Sequence, residues 1–130
     1  MAEKQIIEGD NVSVEIQINR NVVVISIIGE VTTRTVGPLN KMTKPIVDQI
    51  KNEGPFNTLI VDFKQVPFLD SGGVGFISGK FISLKKLDKS FVICSLNNAI
   101  RDTLRYTQLE GVFNIFDNRR DALANFLVTK

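Results

Sequence analysis

Three stretches of this chain, Val22–Ile28, Thr58–Phe63 and Phe91–Cys94, are nearly unbroken apolar runs rich in β-branched residues. Runs of this kind, bounded by polar turns, read as buried strands. Between them, apolar residues recur at helical spacing: Leu39, Met42, Ile46 and Ile50, then Val74, Ile77, Phe81 and Leu84. Strands that alternate with helices imply parallel neighbours joined by right-handed crossovers. Upstream, Val12, Val14, Ile16 and Ile18 alternate with Ser13, Glu15 and Gln17, the pattern of a half-buried strand. The polar turn Asn19-Arg20-Asn21 joins it to Val22–Ile28 as an antiparallel hairpin.

The remaining elements follow from their punctuation. Gly37-Pro38 can open a helix, because proline is tolerated in the first turn, whereas Pro45 should kink or split it. Asn52-Glu53-Gly54-Pro55 ends that helix. A helix opened by Ser71 runs to about Leu87, and Asp88-Lys89 turns into a strand at Ser90–Ser95. Asn97 or Asn98 caps a helix carrying Ile100 and Leu104 on one face. Val112–Phe116 is a short fifth strand, and Asp117 or Asn118 caps a last helix with Ala122, Leu123, Phe126 and Leu127. The expectation is one α/β domain: a mixed, mostly parallel sheet of about five strands with an N-terminal hairpin, packed with about four helices. Residues 1–10 are expected to be a loose lead-in, and residues 11–130 the domain.

Composition narrows the chemistry. A chain of 130 residues, 43% of them hydrophobic, has the size and composition of one folded domain. Its net charge of +2 is spread out, and the Lys85-Lys86 and Arg119-Arg120 pairs read as solvated helix faces, not a nucleic-acid stripe. The chain has no histidine, which excludes Ser-His and Cys-His triads and removes the commonest metal ligand. Glu30, Asp62 and Asp70 lack the loop spacing of a hard-cation site, so no metal is expected. Cys94 is the single cysteine, so no intrachain disulfide can form, and its apolar run makes it a buried small hydrophobe. The N-terminus lacks the basic start and apolar run of a signal peptide, and no apolar stretch approaches a membrane span. A cytoplasmic location is expected.

Chemistry-bearing residues concentrate in Val66–Ile77, where a strand hands over to a helix. A helix start carries unpaired N–H groups and partial positive charge. Ser71 is therefore either the cap of that helix, worth about 1 kcal/mol against alanine, or a hydroxyl displayed for chemistry. The two roles are compatible. The glycines do not make a nucleotide loop. Gly73-Val74-Gly75 has Ser78 where a dinucleotide fingerprint needs its third glycine, and Gly75-Phe-Ile-Ser-Gly79-Lys80 is one residue short of a phosphate loop. Gly72, Gly75 and Gly79 instead allow close approach of the sheet or of a partner. The helical wheel places Phe76 off the core face, beside Gly72, Gly79, Lys80 and Ser83, either as an isolated exposed ring or as a partner's anchor. Thr33 and Arg34, in the loop after the second strand, can join that surface.

The string Asp70-Ser71-Gly72-Gly73-Val74-Gly75 resembles the Asp-Ser-(Ser/Thr/Ala)-Gly-(Leu/Val)-Gly signature of STAS domains, in particular the anti-sigma factor antagonists of bacteria. Gly29-Glu30-Val31 resembles the Gly-Glu-Leu that ends the family's second strand, and Leu104–Phe113 its late Leu…Thr-Gly-Leu…Phe segment. The chain departs from the family at Thr32, where the usual residue is Asp, and at Gln108, usually Gly. The resemblance implies a non-enzymatic switch without a cofactor of its own. Ser71 would be phosphorylated by an anti-sigma factor serine kinase, which brings the ATP and magnesium, and a PP2C-type phosphatase would reset it. Thr32, Thr33, Arg34, Asp70, Gly72, Gly73, Phe76 and Lys80 would form the partner-binding surface. Two other readings stay open: a STAS scaffold or regulatory module that is never phosphorylated, and a STAS module that binds a nucleotide or lipid at the same loop.

Overall fold

A computed structural model describes residues 3–52 and 54–128. Met1 and Ala2 of the expected lead-in, and Glu53 of the expected helix terminator, lie outside the described residues. The strands are β1 (Glu3–Glu8), β2 (Ser13–Asn19), β3 (Val22–Ile28), β4 (Thr58–Gln65), β5 (Ser90–Cys94) and β6 (Asn114–Phe116). The helices are α1 (Val36–Asn52), α2 (Ser71–Lys85), α3 (Asn98–Tyr106) and α4 (Arg119–Phe126). The strands form one sheet in sequence order: β1, β2 and β3 pair antiparallel, and β3 through β6 pair parallel. The mixed α/β architecture is as expected, with six strands where about five were expected.

The extra strand corrects the loose lead-in. Residues 3–8 pair along β2, with Gln5 opposite Ile16 and Ile7 opposite Val14. Ile7 packs on the core while Ile6 faces out, 64% exposed. Two adjacent apolar residues show no alternation, so the sequence pattern carries no signal for this edge strand.

Alternation in the strands sends side chains to two cores. On one face Ile16, Val23, Ile25, Leu59, Val61, Phe91 and Ile93 meet α1, α2 and α3. On the other, Val22, Val24, Ile60, Val92 and Cys94 meet Ala122 of α4, with Leu123 and Phe126 beside it. Both faces of the central strands are covered, which is why those strands read as continuous apolar runs.

Pro45 lies inside α1 and does not split it. Pro45 and Lys41 are both exposed, so water can reach the Lys41 carbonyl that loses its donor. Asn97 caps α3 by accepting from the Ile100 amide at 2.9 Å, and Asn118 caps α4 through the Asp121 amide at 2.8 Å. Arg119 is not on a solvated helix face. It donates to Asp62 at 3.0 Å, to Gln17 at 2.8 Å and to Ser26, spanning β2, β3 and β4 beneath α4. Arg120, its neighbour, is exposed. Cys94 is buried as expected, and burial, then the nearby Asp62 carboxylate, pushes its thiol up to about 12.

Candidate functional site

The loops after β3 and β4 are zipped together. Val31 bridges Leu69, its amide donating to the Phe68 carbonyl at 3.1 Å and its carbonyl accepting from Asp70 at 3.3 Å. Asn97 holds the second loop from the other side, donating to the carbonyls of Val66 (3.3 Å) and Pro67 (3.0 Å). These ties place the start of α2 against the β3–α1 loop.

Asp70, not Ser71, caps α2. Its backbone is extended (φ −110°, ψ −165°) and its carboxylate accepts from the amides of Gly72 (2.8 Å) and Gly73 (3.2 Å). The same carboxylate accepts from the Thr33 amide at 3.0 Å and the Thr33 hydroxyl at 3.3 Å. Asp and Ser are comparable caps and stand side by side here, so the sequence does not choose between them. Desolvation raises the Asp70 carboxyl, but the Thr33, Gly73 and Gly72 amides and the Thr33 hydroxyl outweigh it and hold it below its ordinary value of 3.8.

Ser71 is left as the first residue of α2, exposed, with no hydrogen bond from its hydroxyl among the described residues. Gly72 and Gly73 let the helix start sit this close to the loop. A Cβ on Gly72 would lie 2.7 Å from the Thr33 backbone, and one on Gly73 2.4 Å from the Val31 carbonyl oxygen. Gly75 and Gly79 face open space.

The remaining expected site residues divide. Thr33 is exposed and bonded to Asp70 at the helix start, while the neighbouring Arg34 is exposed in a hollow with Asn11, Glu30 and Thr35. Thr32 is buried (7% exposed): its hydroxyl accepts from the Arg34 amide at 3.2 Å and its carbonyl from Thr35 and Val36 at 2.9 Å, so it shapes the turn into α1. Phe76 is the main correction. It is 7% exposed and joins the core with Gly73, Ile77 and Leu84, while Val74 and Phe81, expected at the centre of that face, flank it half-buried. Apolar residues are spread around α2, with Ile82 exposed, so no single apolar side of the wheel sets its phase. Lys80 caps the Phe76 ring at 4.6 Å and donates to Asn40 of α1 at 2.8 Å. Burial, then the Lys51 charge, lowers its pKa. Nine residues along the helix put Lys80 roughly 14 Å from Ser71.

Gln108 explains a departure from the family pattern. It sits at φ +61° just after α3, where its amide donates to Arg105 (2.9 Å) and the Leu109 amide to Leu104 (2.8 Å), a Schellman-type ending that favours glycine. Sequence reasoning missed Asn97 as the tie on the β4–α2 loop, as well as the Arg119–Asp62 pair. Both link residues far apart in the chain, for which a single sequence gives no signal.

The fold and site together define a small α/β module that presents an exposed serine at a carboxylate-capped helix start. The chain belongs to the STAS-domain family, whose model matches residues 13–122. It is 23% identical over 118 residues to an anti-sigma F factor antagonist of Paenibacillus polymyxa, covering 91% of this chain and 97% of that protein. Its fold is similar to that of an anti-sigma factor antagonist from Mycobacterium paratuberculosis, with TM-score 0.78, 23% identity, and 92% and 97% of the two chains covered. It is also similar to the phosphorylated form of the Bacillus cell fate determinant SpoIIAA, with TM-score 0.65, 21% identity, and 88% and 99% covered. The chain is a non-enzymatic module of this family. No helix among the described residues is long and apolar enough to cross a membrane.

Proposed function

We propose that the chain is a phosphorylation-controlled switch of the anti-sigma antagonist type, with Ser71 as phosphoacceptor. The observation that carries this reading is the Ser71 hydroxyl itself, exposed and without a hydrogen bond among the described residues while Asp70 does the capping. Unphosphorylated, the chain binds an anti-sigma factor serine kinase, through a surface made of Thr33, Arg34, Asp70, Ser71 and Gly72. Thr32, Gly73 and Phe76 are buried and support that surface from below. Lys80 lies further along α2.

Phosphorylation adds about −1.5 to −2 charges at the first position of a helix. The helix start favours that charge, while the ionised Asp70 one residue away opposes it, so the fold survives. A docked interface would have to desolvate both anions together, and binding is lost. A PP2C-type phosphatase then restores the binding form.

The test is incubation with anti-sigma kinases of the source organism and ATP, read by intact mass. Wild type should gain one phosphoryl group and Ser71→Ala none. Modification of the Ala variant, or of neither protein by any such kinase, would remove Ser71 from the mechanism.

A further inference from the structure

Among the described residues, β1 forms one edge of the sheet and β6 the other. β6 has three residues, a short edge that offers little to another strand. β1 has six, contains no proline, and pairs along β2 without a bulge. Its outer row of N–H and C=O groups is therefore straight and open to pairing.

Alternation decides what stands on each face of this edge. Ile7 packs on the core beneath α1, α2 and α3, so Lys4, Ile6 and Glu8 lie on the α4 side of the sheet. Ile6 is 64% exposed and belongs to neither core. Lys4, the charge that could guard the edge, already pairs with Glu15 of β2 at 3.2 Å. Glu8 is exposed and makes no ion pair among the described residues.

Two copies of one strand can pair antiparallel about a two-fold axis only in certain registers. Residues opposite each other must both turn their backbone groups outward or both inward, so their numbers must add to an even total. With the axis at Gln5, Lys4 faces Ile6 of the second copy; with the axis at Ile7, Ile6 faces Glu8. With the axis at Ile6, Lys4 faces Glu8 on both sides of it, and the two Ile6 side chains meet. Of these registers, the last alone sets apolar against apolar and charge against opposite charge.

We propose that the chain pairs with a second copy of itself along β1, antiparallel about Ile6, so that the two sheets become one. The pairing uses the longer edge of each copy and closes as a dimer. About five residues a side make a small contact, which gives a weak, concentration-dependent association. β1 lies three strands from β4, roughly 14 Å across the sheet, so the pairing leaves Ser71 free and does not depend on its phosphorylation.

Sedimentation velocity between about 10 μM and about 1 mM tests it. The mass of wild type should rise from monomer toward dimer and stop there. Ile6→Lys puts like charges on the axis at a solvent-facing position, and should weaken association by about tenfold or more at unchanged melting temperature. K4E and E8K each set like charges opposite one another, and each alone should stay mainly monomeric where wild type dimerises. An equimolar mixture of the two restores both Lys–Glu pairs in a heterodimer and should associate much as wild type does. Wild type that stays monomeric, or that grows beyond a dimer, overturns the proposal, and a monomer leaves the edge to a strand of another protein. An Ile6→Lys variant that associates like wild type also overturns it, as does a mixture of folded K4E and E8K that associates no better than its parts. Wild type and Ile6→Lys decide the matter even if K4E, which also loses the pair with Glu15, releases β1 from the sheet.

Discussion

At Asp70 one carboxylate accepts from the amides of Gly72, Gly73 and Thr33 and from the Thr33 hydroxyl. Ser71, next to it, makes no such bond among the described residues. Ser71→Ala should therefore change stability by no more than about 0.5 kcal/mol, the range of a surface substitution, and not by the value of a cap. Asp70→Asn should lower the melting temperature clearly at neutral pH. The folded protein holds the Asp70 proton less tightly than the unfolded chain, because its pKa is depressed. Its contribution is thus complete above the ordinary carboxylate value of 3.8 and is lost as pH falls through the lower folded value. Thermal melts of wild type and Asp70→Asn should converge in acid; a gap that widens there contradicts the assignment. Gln108, held at φ +61°, supplies a second test at this scale. Gln108→Gly should raise stability by about 0.5–1 kcal/mol in chemical denaturation, because glycine adopts that conformation without the steric cost.

The start of α2 works as an element because its glycines have different duties. Gly73 lies where an added Cβ would press on the Val31 carbonyl, so Gly73→Ala should cost about 1–3 kcal/mol by forcing the helix off the loop. Gly75 faces open space in the same helix, and Gly75→Ala should stabilise by roughly 0.5–1 kcal/mol. Urea unfolding of the pair reads both signs in one experiment, and a loss at Gly75 equal to that at Gly73 would show that α2 is placed wrongly. Phe76→Ala should cost about 3–5 kcal/mol, as for a buried phenylalanine, matching the order of loss at Ile77→Ala. Loss of partner binding in a Phe76 variant would then report unfolding, not the loss of an exposed anchor.

Across the whole molecule, legibility followed the strength of local patterning. The alternating β2 and the apolar β3, β4 and β5 announced themselves, and the caps of α3 and α4 were each narrowed to two adjacent residues, of which Asn97 and Asn118 are the ones used. β1 did not, because an edge strand with two adjacent isoleucines has no period to detect. Phe76 was misplaced because apolar residues are spread around α2, and the Arg119–Asp62 pair escaped because its partners lie 57 residues apart. The site was legible as a motif, since Asp70-Ser71-Gly72-Gly73 stands in one string, but the division of labour within it was not. That division carries the functional account: Asp70 and the glycines hold the helix start, so Ser71 can change charge without disturbing the fold. The direct measurement is calorimetric titration of the cognate anti-sigma kinase with unmodified and Ser71-phosphorylated protein, alongside their melting temperatures. The account predicts at least about a tenfold weaker affinity after phosphorylation, a difference of about 1.4 kcal/mol or more, with little change in melting temperature. Equal affinities for the two forms, or a phosphorylated form that melts far below the unmodified one, would contradict it.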